Sequence, residues 1–71
     1  MNGKLTEREF NVISLVTKGM TNNEIADNLH ISVHTVKAHL EAIYEKFEVT
    51  NRVQAVIKAV LLGLIDLNSL I

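Results

Sequence analysis

Apolar residues recur along the chain at spacings of three and four, the pattern of amphipathic helices that share one core. There is no Pro, and only three Gly interrupt the pattern. The sequence therefore predicts an all-α fold, a four-helix bundle in a single domain over residues 1–71. The expected helices cover about residues 7–18, 22–29, 33–47 and 52–62.

Capping residues mark where these helices begin. Two Thr-x-x-Glu segments, Thr6–Glu9 and Thr21–Glu24, have the spacing of a capping box, in which side chains and backbone amides bond reciprocally. Ser32 and Asn51 are expected to cap the third and fourth helices. Each predicted helix thus begins just after a residue suited to that end.

Glycines and one tight connection mark where helices end. Gly19 and Gly63 stand where a left-handed residue closes a helix. Only His30-Ile31 separates the second helix from the cap of the third. A short helix, a tight turn and a longer helix form the outline of a helix-turn-helix.

The third helix has an apolar stripe and a polar face. The stripe is expected to face the core and consists of Val36, Leu40, Ile43 and Phe47. A helix in the major groove of DNA reads bases with its N-terminal half, which here presents His34, Lys37, Ala38 and Glu41. A solvated surface with a Lys37–Glu41 ion pair explains the same pattern, so periodicity leaves both interpretations open.

Contacts of each type can be assigned to this face. Lys37 suits a guanine edge or a phosphate, Glu41 a cytosine amine, and Ala38 a thymine methyl group. Near the helix N-termini, the side chains suited to phosphate oxygens are those of Ser32, Thr35, Asn22 and Asn23.

Composition narrows the functional classes. The chain has a net charge of −1 and no Cys, which argues against a broadly basic surface and suits a reducing cytoplasm. The longest apolar run, Ala59–Ile65, is too short for a membrane span. The three His lie on different faces with no further ligand to complete a set, and no catalytic motif occurs. We therefore expect no metal, no cofactor and no enzymatic activity.

An ordered set of motifs runs from Leu5 to Ile65. It comprises Leu5-Thr6-x-Arg8-Glu9, Gly19-x-Thr21-Asn22-x-Glu24-Ile25-Ala26, Thr35-Val36-Lys37-x-His39, Val49-x-x-Arg52-x-x-Ala55-Val56 and Gly63-Leu64-Ile65. Together these motifs closely resemble the LuxR/NarL/FixJ family of bacterial DNA-binding domains.

The resemblance implies sequence-specific binding of double-stranded DNA and regulation of transcription by a dimer on an inverted repeat. The third helix would enter the major groove, and the fourth would help to dimerise. The residues expected to face DNA are Asn22, Asn23, Ser32, His34, Thr35, Lys37, Ala38 and Glu41. Many family members have basic residues where Asn23 and Glu41 stand, so this sequence departs from the family at two charged positions.

The fourth helix is apolar on several sides. Its core-facing stripe is expected to be Val53, Val56, Ile57, Val60 and Leu64. A small domain cannot bury such a helix all round, so an exposed apolar patch is expected. With the resemblance, this patch predicts a two-fold homodimer contact that involves Ala55, Lys58, Ala59 and Leu62. The alternative is that the tail, Leu67–Ile71, covers the patch.

In the family, such a domain usually follows an N-terminal receiver or ligand-binding domain. These 71 residues contain neither, so we expect the C-terminal output domain of a two-component response regulator rather than a solitary domain. Two alternatives stay open. One is a protein-interaction module that kept the fold and lost DNA binding, which the net charge supports; the other is a sigma-factor region-four-like domain.

Overall fold

The computed structural model describes residues 4–66 and Asn68. It contains four helices: α1 (Glu7–Thr17), α2 (Asn22–Leu29), α3 (Val33–Phe47) and α4 (Arg52–Leu61). The expected all-α class is confirmed. Among the described residues no helix is long and apolar enough to cross a membrane. The alternative that the tail covers α4 rests on residues outside the described ones, and so does the part of the predicted domain at residues 1–3.

The helices begin at the predicted caps. The Thr6 hydroxyl oxygen accepts from the Glu9 amide at 3.1 Å, and Glu9 Oε1 accepts from the Thr6 amide at 2.9 Å. This reciprocal pair satisfies two amides that an isolated helix start would leave unpaired. The caps of the other helices are Thr21, Ser32 and Asn51.

All four helices end through a residue with positive φ. Gly19 (φ 86°) and Gly63 (φ 74°) follow α1 and α4, whereas His30 and Glu48, both with φ 58°, follow α2 and α3. In each case the next amide bonds back to a carbonyl in the last turn. Because a left-handed conformation costs a residue with a side chain about 1–2 kcal/mol, the connections on either side of α3 are the strained ones.

The core is built around α3, which packs against the other three helices. Its predicted stripe of Val36, Leu40, Ile43 and Phe47 is buried. The residues that meet this stripe include Val12, Ile13 and Val16 of α1 and Ile25 and Ala26 of α2. Close packing of this kind fixes the position of α3, so the opposite side of the helix is held outward.

The predicted core face of α4 is wrong at three of its five positions, since only Val56 and Val60 pack against the core. Val53 is 68% exposed and Ile57 is 52% exposed, and Leu64 is also exposed, whereas Ala55 and Ala59 are fully buried. The two alanines lie one turn apart on a single face, and their small side chains let the α4 backbone approach α1 and α3 closely. The larger side chains opposite them are therefore turned outward.

This arrangement also corrects two residues expected at the dimer contact. Ala55 and Ala59 belong to the core of their own chain, so a second chain cannot touch their side chains while the fold is intact. Lys58 is half-buried and Leu62 is exposed. Both remain accessible to a partner.

A buried carboxylate joins α1 to α3. Glu9 is 5% exposed, and its Oε1 lies 2.6 Å from Lys46 Nζ. Burial raises the pKa of Glu9, but hydrogen bonds from Lys46 and from the Thr6 amide outweigh it, so the pKa lies below its ordinary value of 4.5. One carboxylate thus caps a helix and fixes the far end of α3 against α1.

Candidate nucleic-acid interface

The N-terminal half of α3 presents a continuous exposed face. His34, Lys37, Ala38 and Glu41 are all exposed, and their spacing of three and four residues places them on one side of the helix. From the first to the last, the helix rises about 10 Å, roughly three base-pair steps of a duplex. The face is therefore long enough to meet several consecutive base pairs.

The two charged side chains on this face do not neutralise each other. Among the described residues Lys37 forms no ion pair with Glu41, and the ion pair that is present joins Lys46 to Glu9. The ion pair of the solvated-surface interpretation is therefore absent among the described residues, whereas the exposure of these side chains fits both interpretations. Lys37 offers a donor and Glu41 an acceptor to an incoming ligand.

Two hydroxyl groups meet at the start of α3. Ser32 Oγ accepts from the Thr35 amide at 3.0 Å and lies 2.9 Å from Thr35 Oγ1. Because one hydroxyl must donate to the other, the pair keeps a single O–H for a further acceptor. The site also has the partial positive charge of a helix N-terminus, so it suits an anion.

A second helix start lies at Asn22 and Asn23, the first residues of α2. The capping box uses the amides of Thr21 and Glu24. The amides of Asn22 and Asn23 have no acceptor among the described residues. Asn23 is exposed and Asn22 is half-buried, so this end of α2 also suits an anion.

Arg52, at the first position of α4, reaches the start of α2. Its Nη1 donates to Asn22 Oδ1 at 2.8 Å, and its Nη2 donates to the Met20 carbonyl oxygen at 2.7 Å. The pattern of the sequence alone predicts no role for Arg52. The position of Arg52 was nevertheless a signal, because a cation in the first turn of a helix is disfavoured by the helix dipole. An arginine at such a position is expected to interact with another part of the molecule.

The structure thus brings the expected residues to the surface in two groups. None of the eight is buried. One group follows the exposed face of α3, and the other lies at the starts of α2 and α3. An exposed apolar patch on α4 is expected from the sequence, but its residues are not the expected ones. The exposed stripe consists of Val53, Ile57 and Leu61, and the first two were expected in the core.

The described residues offer no comparable site for a metal. His30 and His34 are exposed and His39 is half-buried. Within residues 4–66 and 68, no three His, Cys, Asp or Glu side chains come together as a metal ligand set.

The elements α2 and α3 form a helix-turn-helix. A short helix leads through a left-handed turn to a longer helix whose inner face is buried and whose outer face is polar. The model of the family described as bacterial regulatory proteins, luxR family, matches residues 3–59. The chain belongs to this luxR family of bacterial regulatory proteins.

Its relatives include the response regulator protein VraR of Staphylococcus aureus, Staphylococcus epidermidis and Staphylococcus saprophyticus. Each is 51% identical over 55 residues, which make up 78% of this chain and 26% of the relative. The crystal structure of response regulator ChrA, from a heme-sensing two-component system, superposes with a TM-score of 0.84 at 39% identity. That match covers 87% of this chain and 31% of ChrA. The LuxR-type resemblance is confirmed.

Proposed function

We propose that the chain is the DNA-binding output domain of a bacterial response regulator and that it regulates transcription by recognising double-stranded DNA. The observation that carries the proposal is the exposed face of α3, on which Lys37 and Glu41 have no ion-pair partner among the described residues. In this role the chain has no enzymatic activity.

Base recognition would come from α3 in the major groove. Lys37 suits the O6 and N7 acceptors of guanine, Glu41 the N4 donor of cytosine, and Ala38 the methyl group of thymine. His34 lies closest to the helix start and is exposed, so it would meet either a base edge or a phosphate. These four side chains are the proposed source of sequence specificity.

Phosphate contacts would fix the helix in the groove. At one helix start the hydroxyl pair of Ser32 and Thr35 supplies an O–H, and at the other the amides and side chains of Asn22 and Asn23 supply N–H groups. Such contacts position a protein on the duplex without reading its sequence. Because most of these donors are neutral, we expect a modest dependence of affinity on salt.

Pairing of two domains would use the exposed apolar stripe of α4. Val53, Ile57 and Leu61 are one turn apart along the exposed side of the helix, with Lys58 and Leu62 at the margins. A standard interface buries about 800 Å² on each partner, which three side chains cannot supply. We therefore propose that the domain pairs on an inverted repeat, with the third helices about 34–36 Å apart, and associates weakly without DNA.

The chain spans about a quarter of the length of its VraR relatives. The proposal for the whole protein is a cytoplasmic response regulator in which an N-terminal receiver domain controls this output domain.

Titration of duplex DNA at low salt, followed by fluorescence anisotropy, tests the proposal. Lys37→Ala should weaken binding by about 5- to 100-fold, and the log–log salt slope should fall by about one if Lys37 contacts a phosphate. Lys18→Ala is the matched control, since Lys18 is an exposed lysine at the end of α1. If Lys37→Ala bound as tightly as the unchanged chain, Lys37 would not lie in the interface.

A second candidate function is a protein-interaction module that does not bind DNA. The net charge of −1 and the exposed Glu41 on α3 favour it. Failure to bind any duplex even at low ionic strength would support this candidate, because non-specific affinity is strongest under that condition.

A further inference from the structure

We propose that Arg52 is a positioning residue for DNA binding, which orients the Asn22 side-chain amide so that its N–H donors face a phosphate. The inference rests on the proposed function and adds to it a residue that does not itself touch DNA. It assigns α4 a part in DNA binding in addition to the proposed pairing.

The direction of the Asn22 amide follows from the chemistry of its partner. A guanidinium group has five N–H donors and no acceptor, whereas an asparagine amide has one oxygen acceptor and an NH₂ group with two donors. Arg52 Nη1 therefore holds Asn22 Oδ1, at 2.8 Å. The NH₂ group is left on the side away from Arg52, where among the described residues it has no acceptor.

The same guanidinium fixes the backbone that leads into α2. Arg52 Nη2 donates to the Met20 carbonyl oxygen at 2.7 Å, and Met20 immediately precedes the N-cap Thr21. The planar fork of arginine thus holds two acceptors, one on each side of the cap. Both the Asn22 side chain and the start of the helix are restrained, so less conformational entropy is lost when a phosphate binds.

The arginine is itself held in place. It is half-buried, and it lines a surface groove with Val16, Val53, Val56 and Ile57. Contact between the aliphatic stem of arginine and apolar neighbours is a common way to fix a long side chain. A guanidinium held in this way provides a rigid support for the Asn22 amide.

The position of the charge favours an anionic ligand over a purely structural role. The partial positive charge at the start of a helix disfavours a nearby cation. Arg52 lies in the first turn of α4, and its guanidinium lies at the start of α2. A phosphate would be attracted by the two helix starts and by the guanidinium together, so bound DNA would relieve the unfavourable arrangement.

The test compares the unchanged domain with Arg52→Ala, Arg52→Lys, Asn22→Ala and the double variant Asn22→Ala/Arg52→Ala. Affinity for one duplex is measured by anisotropy well below the unfolding temperature of each variant. Each single variant should bind about 3- to 10-fold more weakly, the loss of one phosphate hydrogen bond. The double variant should bind no more weakly than the weaker single variant, because both changes remove the same contact.

Arg52→Lys separates positioning from charge. It keeps the cation, and with it the attraction of the charge for a phosphate, but it loses the planar fork, so it should still bind more weakly than the unchanged domain. The NH₂ resonances of Asn22 in a ¹H–¹⁵N spectrum of the free domain should shift in Arg52→Lys. Arg8→Ala is the control for loss of an arginine, since Arg8 is exposed on α1 and has no side-chain hydrogen bond or ion pair among the described residues; it should bind like the unchanged chain.

Several results would overturn the inference. Full affinity in Arg52→Lys would mean that charge alone acts, and additive losses in the double variant would mean that Arg52 contacts DNA independently. A lower unfolding temperature with unchanged affinity in Arg52→Ala and Asn22→Ala would leave a structural role only. If Arg52→Ala does not fold, the affinities of Asn22→Ala and Arg52→Lys decide whether Arg52 positions Asn22. If the unchanged domain bound no duplex, the proposed function would fail first, which is a different result from binding that the variants do not alter.

Discussion

The Glu9 carboxylate takes part in two interactions, one local and one between helices. It caps α1 through the Thr6 amide and pairs with Lys46 of α3. The sequence predicts the first bond, since the capping box is local. It does not predict the second, because the two residues are 37 positions apart and only packing brings them together.

The pair makes stability depend on acid. Because the pKa of Glu9 in the fold lies below its ordinary value of 4.5, the pair stabilises the fold above that pH, and this contribution is lost as the pH falls through the folded pKa. Glu9→Gln should cost about 1–3 kcal/mol at pH 7. Urea unfolding measures this. Between pH 7 and pH 3 the free energy of unfolding should fall less for Glu9→Gln than for the unchanged chain.

Glu7→Gln is the control, because Glu7 precedes the same turn and is exposed. It should leave the acid profile of the unchanged chain intact. An equal acid loss in Glu9→Gln and the unchanged chain would exclude Glu9 as the source.

Glu48 carries avoidable backbone strain at the end of α3. Its φ is 58°, a conformation that glycine adopts without the steric cost of a side chain. Glu48→Gly should therefore raise the free energy of unfolding by about 0.5–1 kcal/mol. The converse change, Gly63→Ala, removes a glycine at φ 74° and should lower it by a similar amount. Thermal unfolding of both variants measures this, and a destabilised Glu48→Gly would show that the glutamate has a role beyond the turn.

At the scale of the helix, the sequence pattern predicts the buried face correctly where polar residues mark the opposite face. It does not do so where apolar residues occur on several sides. The stripe of α3 could be predicted because Lys37, Glu41 and Glu45 mark the opposite side. On α4 seven of the ten positions are apolar, so periodicity cannot tell Val53 and Ile57 from Ala55 and Ala59. There the outcome depends on side-chain volume, which a hydrophobic pattern does not contain.

The two faces of α4 should respond differently to substitution. Ala59→Leu adds three carbons to a filled core and should cost about 1–3 kcal/mol, while Ile57→Asp changes an exposed residue and should alter stability by about 0.5 kcal/mol or less. Instead, Ile57→Asp should abolish pairing on DNA with two half-sites. Thermal unfolding of the variants and sedimentation of their DNA complexes test this together. If two Ile57→Asp domains still paired on DNA, the stripe would not be the pairing surface.

At the scale of the whole molecule, charge and size set the expected behaviour. The net charge is −1, so long-range attraction to DNA is weak and recognition depends on the few groups at the starts of α2 and α3 and along α3. The fold and the exposed face of α3 could be predicted from sequence. The link from Arg52 to α2 could not be predicted, nor could the residues that form the outward stripe of α4, since both depend on contacts between helices distant in sequence.

The central claim is that two of these domains read an inverted repeat through α3. The measurement that tests it most directly is selection of bound sequences from a random duplex library by the unchanged domain at low salt. We expect enrichment of an inverted repeat whose half-site centres are about 10 base pairs apart, lost or altered in Lys37→Ala. Duplex binding without any enriched sequence, or no binding at all, would contradict the claim.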